Sequence, residues 1–194
     1  MTTTDGNEAQ GALRGVQVLD FGHYIPGPLL GMLLSDQGAD VIKVERPGGD
    51  PARSEPAFAT WNRGKRSIEL DLKTPEGQDN AQALAKKADI VIENYRPGVA
   101  DRLGIGYDVV REMNPRIIYC SISAFGQDGP YRKRPGYDTI GQSLSGLLSV
   151  LTELDDPHGP GAAFSDHLGG IFGCYGALAA LAARKRTGVG QKVE

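Results

Sequence analysis

Cysteine is scarce in this 194-residue chain. The two present, Cys120 and Cys174, are too few and too far apart for a disulfide framework or a CxxC metal site. Such usage suits a reducing cytoplasm, and both thiols read as core residues, one in an apolar run and one among small side chains. Excess positive charge is missing as well. With 21 Lys and Arg against 24 Asp and Glu the formal net charge is −3, which leaves no broad basic field for nucleic acid. No apolar run reaches the ~20 residues of a bilayer span; the longest, residues 168–183, is crowded with Gly and Ala and reads as a buried helix. The opening MTTTDGNEAQGA lacks the basic start and apolar core of a signal peptide. Residues 1–12 are therefore expected to form a short disordered tail on a cytoplasmic protein. The three histidines, His23, His158 and His167, have no H-x-x-x-H or H-x-E spacing, so no metal site is expected.

Glycine and proline are plentiful, at 27 and 12 residues, and imply many tight turns within an ordinary globular composition. A β-rich run at 16–21 leads through a Pro/Gly loop into a helical pattern at 29–37 that stops at Gly38. A second strand at 41–45 closes a βαβ unit, which predicts a parallel sheet with a right-handed crossover. The rhythm then recurs. A half-buried strand is expected at 67–71, followed by Thr74 as N-cap with Pro75 at N1 of a helix carried by 78–87. Another strand follows at 89–93, short helices at 99–103 and 107–113, and a buried strand at 116–122. Residues 124–137 read as a loop suited to a lid or to substrate contact. Residues 138–151 have helical spacing, 152–161 form a polar turn region, and a long small-residue helix over about 165–186 ends at Gly188. Residues 191–194 begin a further strand. The fold class is α/β.

Several motifs fail on inspection. GHYIPGPLLG at 22–31 departs from G-x-G-x-x-G, and Pro26 and Pro28 remove amides that a bound pyrophosphate would use. Ser165, Asp166 and His167 are consecutive, about 100° apart on a helix, and cannot relay a proton as a triad. GQSLSG at 141–146 has the wrong count for a nucleophile elbow. Asp166 keeps two readings, an N-cap of the long helix or a carboxylate facing a ligand beside Gly169 and Gly170, where backbone amides would stabilise an oxyanion. Lys43, Arg46, Lys73, Arg96 and Arg102 fall near strand ends, where basic groups grip phosphates, although each alone reads as a solvated surface charge.

Blocks along the chain resemble the family III CoA-transferases, the group that includes formyl-CoA transferase, crotonobetainyl-CoA:carnitine CoA-transferase and α-methylacyl-CoA racemases. In order they are LRGVQVLDF (13–21), Gly27 with Pro28, GADVIKVER (38–46), NRGKRSIELDLK (62–73), NYRPG (94–98), RPGYD (134–138) and TGVGQ (187–191). The resemblance implies a Rossmann-like parallel sheet with flanking helices, the N-terminal part of the family's large domain, over residues 13–194. It implies that Asp166 is the nucleophile of an acyl-CoA:carboxylate CoA-transferase, passing through an aspartyl anhydride and an aspartyl-CoA thioester. CoA is then expected along the strand ends, with Arg46, Lys73, Asn94, Arg96 and Arg102 near its nucleotide and phosphates, and Ile25, Pro26 and Tyr137 nearer the pantetheine. Leu72 and Tyr95 complete the implied CoA contacts. No cofactor beyond CoA or acyl-CoA as substrate is implied, and the partner is a second copy in an interlocked homodimer, with neither nucleic acid nor membrane.

Formyl-CoA transferase has glutamine where this chain has Ile25, which counts against a small polar acid such as oxalate. Racemases of the family pair the aspartate with a histidine, and Tyr137 stands at that position. A tyrosine of ordinary pKa near 10 is a poor partner for two-base proton exchange, so a 2-methylacyl-CoA racemase is the alternative, and a non-catalytic CoA-binding fragment a third reading. The family's small domain and a glycine-rich loop are expected from sequence beyond Glu194.

Overall fold

The computed structural model describes residues 11–194. Six strands form one parallel sheet: β1 (Gln17–Asp20), β2 (Asp40–Glu45), β3 (Arg66–Glu69), β4 (Ile90–Glu93), β5 (Ile118–Ser121) and β6 (Gln191–Val193). Their spatial order is β3-β2-β1-β4-β5-β6, and every neighbouring pair runs parallel. The order reverses between β1 and β4. In an open α/β sheet this switch point leaves a crevice beyond the carboxyl ends of the strands.

The strands alternate between two cores, as a pleat with period two requires. Val18, Ile90, Ile92, Ile118 and Cys120 face one side, and Leu19, Val91 and Tyr119 the other. The first side is covered by α1 (Pro26–Asp36) and by α8 (Phe164–Thr187), which bring Leu30, Leu34, Cys174, Ala177 and Ala180. The second is covered by α3 (Pro75–Ala85), α4 (Val99–Arg102) and α5 (Tyr107–Met113). Thr74 caps α3 by accepting from the Gly77 amide at 3.1 Å, with Pro75 next to it. Glycine lets α8 lie close on α1. A Cβ at Gly170 would sit 2.8 Å from the Pro26 carbonyl oxygen, and one at Gly173 2.8 Å from Leu30 Cδ1.

Two expectations, on β3 and on residues 138–151, are corrected. Residues 1–10 of the expected tail lie outside the described residues, but Gly11 is seated against the turn at Gly38, its carbonyl accepting from the Arg14 amide at 2.9 Å. The strand expected to be half-buried, β3, is exposed at every position because it forms a sheet edge. The helical spacing over 138–151 resolves into α6 (Asp138–Leu144) and α7 (Leu148–Leu151), separated at Gly146, whose φ of +80° cannot continue a right-handed helix. The five-residue α2 (Phe58–Asn62) adds an element in a stretch for which the sequence pattern carries no reading.

Candidate active site

A cleft of about 910 Å³ opens at the switch point, between the loop after β1, α2, the segment after β4, the 124–137 loop and the start of α8. The β1–α1 loop is fixed from below by buried charges. Asp20, fully buried, accepts from the Gly22 amide at 2.8 Å and from Lys65 Nζ at 2.8 Å. Lys65 also donates to the Pro28 carbonyl at 2.8 Å. Burial pushes the Asp20 carboxyl up, but Lys65 and Lys43 outweigh it and hold the group below the usual carboxylate range. Lys43, suggested above as a phosphate ligand, is only 2% exposed and is committed to the Gly22 carbonyl at 2.7 Å and to Asp50 at 2.8 Å. It braces the loop instead.

From the other side of the loop, Asn94 forms a reciprocal pair with the backbone of His23. The His23 amide donates to Asn94 Oδ1 at 2.7 Å, and Asn94 Nδ2 donates to the His23 carbonyl at 2.9 Å. The next residue, Tyr24, has a φ of +57°, the one positive value at a non-glycine position among the described residues.

Across the cleft, the N-terminus of α8 is capped by a residue 28 positions away. Asp138, the first residue of α6, accepts through Oδ1 from the Ser165 amide at 2.7 Å and the Asp166 amide at 3.1 Å. Gln142 donates to its other oxygen and to the Ala162 carbonyl. Asp166 is therefore not the N-cap; that position belongs to Ala163, and Asp166 stands in the first turn. Two amides at this helix start are engaged by a carboxylate, so the oxyanion role suggested for the turn does not extend to them. The Asp166 carboxyl, half-buried on the cleft wall, is pushed up to about 6 by burial and then by the negative charge of Asp138, with His167 opposing. His167 turns aside to meet Trp61 edge to face, ring centroids 5.1 Å apart.

Of the residues singled out from the sequence, Ile25, Pro26, Asn94, Tyr95, Arg96, Tyr137 and Asp166 line the cleft. Arg46, Lys73 and Arg102 are exposed but outside its lining. The Leu72 side chain, 8% exposed, packs in the second core and is not a side-chain contact for a ligand. The sequence reading missed Tyr24, Phe58, Trp61, Phe125, Arg132 and Arg134, all in the lining. The two arginines carried a signal, since they are cations within the proposed substrate loop. Among the described residues no group of three or more His, Cys, Asp or Glu side chains could hold a metal ion, and no helix is long and apolar enough to cross a membrane.

The family description "CoA-transferase family III" matches residues 13–194. A succinate–glutarate CoA-transferase of Agrobacterium fabrum is 40% identical over 98% of this chain and 52% of its own length. The mouse succinyl-CoA:glutarate CoA-transferase is 43% identical over 92% of this chain and 43% of its own length. A CAIB/BAIF family protein from Brucella suis superposes with a TM-score of 0.89 at 40% identity, covering 95% of this chain and 52% of that one. The chain thus spans about half the length of the curated relatives it matches. The match over residues 13–194, with relatives about 40% identical over nearly the whole chain, places the chain in CoA-transferase family III.

Proposed function

We propose that this chain carries the CoA-binding and nucleophilic half of an acyl-CoA:carboxylate CoA-transferase, with Asp166 as the nucleophile. The observation that carries the reading is a half-buried carboxylate on the wall of a large cleft, raised to about 6 by burial and a neighbouring carboxylate. Near pH 7 such a group is mostly ionised, yet more basic and less solvated than an ordinary aspartate, which favours attack on a thioester carbonyl.

The Asp166 carboxylate attacks the carbonyl carbon of the donor acyl-CoA. The C–S bond breaks, CoA leaves as thiolate, and an acyl-aspartyl anhydride remains. The thiolate then attacks the aspartyl carbonyl, releasing the donor acid and leaving an aspartyl-CoA thioester. An acceptor carboxylate attacks this thioester, breaking its C–S bond to expel CoA thiolate and leave a second anhydride between Asp166 and the acceptor. The thiolate then attacks the acceptor carbonyl, forming the new acyl-CoA and freeing the Asp166 carboxylate. No water enters, so the thioester's activation is conserved. Metal and redox cofactors have no part in these steps.

CoA is proposed to run along the strand ends beside Ile25, Pro26, Tyr95, Arg96 and Tyr137, with Arg46, Lys73 and Arg102 reaching its nucleotide from the rim. Asn94 shapes the same wall through its bonds to His23. A cytoplasmic homodimer is part of this proposal. The exposed apolar face of α8, where Phe172 and Tyr175 are 66% and 72% exposed, supports a macromolecular partner there.

The test is intact-mass spectrometry of the full-length protein after incubation with a panel of acyl-CoAs, with hydroxylamine to trap an activated carboxylate and peptide mapping to locate it. A hydroxamate at Asp166, absent from Asp166→Ala, is the expected result. Solvent deuterium entering the α-carbon of a 2-methylacyl-CoA without any acceptor acid, and no trapped Asp166, would replace the proposal with racemisation.

A further inference from the structure

The left-handed backbone at Tyr24 costs free energy for any side chain other than glycine, and such outliers persist only where surrounding structure imposes them. Here the imposing contacts are visible. Asn94, 71 residues further along, holds the preceding residue by both its amide and its carbonyl, at 2.7 and 2.9 Å. Lys43 holds Gly22 one residue earlier at 2.7 Å, and the His23 ring packs edge-on against Tyr95 with centroids 5.2 Å apart. On the far side, Pro26 lies against α8, its Cβ 3.8 Å from where a Gly169 side chain would begin, one turn from Asp166. The five residues from Gly22 to Pro26 are thereby pinned between the sheet and the nucleophile's helix.

The pinning does not bury Tyr24. The residue is 54% exposed and lines the cleft, so packing offsets only part of the cost of its strained backbone. Asparagine or glycine would meet the same φ at lower cost. A large aromatic ring kept there by a clamp is explained by what it meets in the cleft.

We propose that Tyr24 is a specificity-determining residue whose ring contacts the acyl-CoA beside Asp166, and that Asn94 is the positioning residue that holds it in place. The inference rests on the CoA-transfer reading and deepens it. Because the contact is made by the ring face, it recognises an apolar or planar part of the donor rather than its charge.

Steady-state kinetics and thermal melting of the full-length protein test it. Tyr24→Gly relieves the strain and removes the ring, so its melting temperature should not fall, while kcat/KM for the acyl-CoA drops about tenfold, chiefly through KM. Tyr24→Phe keeps the ring and should stay within about threefold of wild type. Asn94→Ala should raise KM on its own, yet add little in the Tyr24→Gly background, because its effect passes through Tyr24. Unchanged kinetics for Tyr24→Gly, a full loss with Tyr24→Phe, or additive losses in the double variant would each overturn the proposal. Failure of the wild-type protein to transfer CoA would instead strike the functional reading beneath it.

Discussion

Asp166 carries a stability cost of the kind its proposed role as nucleophile predicts. Its carboxyl is raised from an ordinary value near 3.8 to about 6, so the protonated form is favoured in the fold and the ionised form penalised. The stability that protonation confers is fully present below about pH 4 and is lost as pH rises through 6. At pH 7 the Asp166→Asn variant should therefore be the more stable protein. After discounting for partial exposure the gain is about 1 kcal/mol, or roughly 2–4 °C in melting temperature for a domain of this size. Melting curves from pH 4 to 8 check it: the two proteins should converge at the acid end and separate as pH rises, while the variant forms no trappable adduct. Asp138 acts on the same group from a different element. Replacing it with asparagine keeps an oxygen to accept the Ser165 and Asp166 amides but removes the charge that disfavours ionisation of Asp166. The acid limb of adduct formation in Asp138→Asn should move to lower pH, part of the way back towards an ordinary aspartate. An unmoved limb would show that burial alone sets the Asp166 value.

At the scale of elements, the pairing of α1 with α8 makes a prediction in which neighbouring glycines differ in sign. A methyl at Gly170 would stand 2.8 Å from the Pro26 carbonyl oxygen and 3.0 Å from Leu29. Backbone cannot yield cheaply there, so overpacking of about 1–3 kcal/mol outweighs the roughly 1 kcal/mol by which alanine improves on glycine inside a helix. At Gly169 the nearest atoms are 3.6 and 3.8 Å away, which is ordinary contact, and the helix preference prevails. Thermal melts should place Gly170→Ala below wild type and Gly169→Ala at or above it. The same elements show which parts of the fold could be read in advance. Strand β1, its crossover to β2, and helices α3, α5 and α8 announce themselves by apolar period and by local caps such as Thr74 and Gly188. The exposure of β3 was not readable, because a two-residue alternation does not say whether a strand lies inside a sheet or at its edge. Helix α2 is too short to show a period. The cap of α8 was hidden for another reason: Asp138 lies 28 residues from Asp166, and a cap supplied across the fold leaves no mark beside the helix it closes. For the site, the family resemblance named Asp166, Ile25, Pro26, Arg96 and Tyr137, all of which line the cleft, whereas the commitments of Lys43 and Asn94 to backbone appear only in three dimensions.

At the scale of the whole molecule, one surface stands apart from the cleft. Along α8 the side chains of Phe164, Leu168, Ile171, Phe172 and Tyr175 recur at spacings of three and four, and all are exposed, from 41% at Phe164 to 72% at Tyr175. On and just after α7, Val150 and Leu154 add 80% and 76%. Helix α8 thus has two apolar sides, one against α1 and the sheet and one open. A stripe of this kind exceeds the scattered apolar residues of an ordinary monomer surface and marks a contact surface. The 194-residue chain by itself should therefore associate as its concentration rises and bind a hydrophobic dye such as ANS. The double change Phe172→Lys and Tyr175→Lys places two charges on the stripe and removes little buried area. It should reduce both dye binding and association in sedimentation velocity, with the far-UV spectrum and melting temperature nearly unchanged. A wild-type chain that stays monomeric and dye-free at high concentration would assign the stripe to plain solvent contact. Association that survives both lysines would move the contact to α7, where Val150→Lys is the corresponding test.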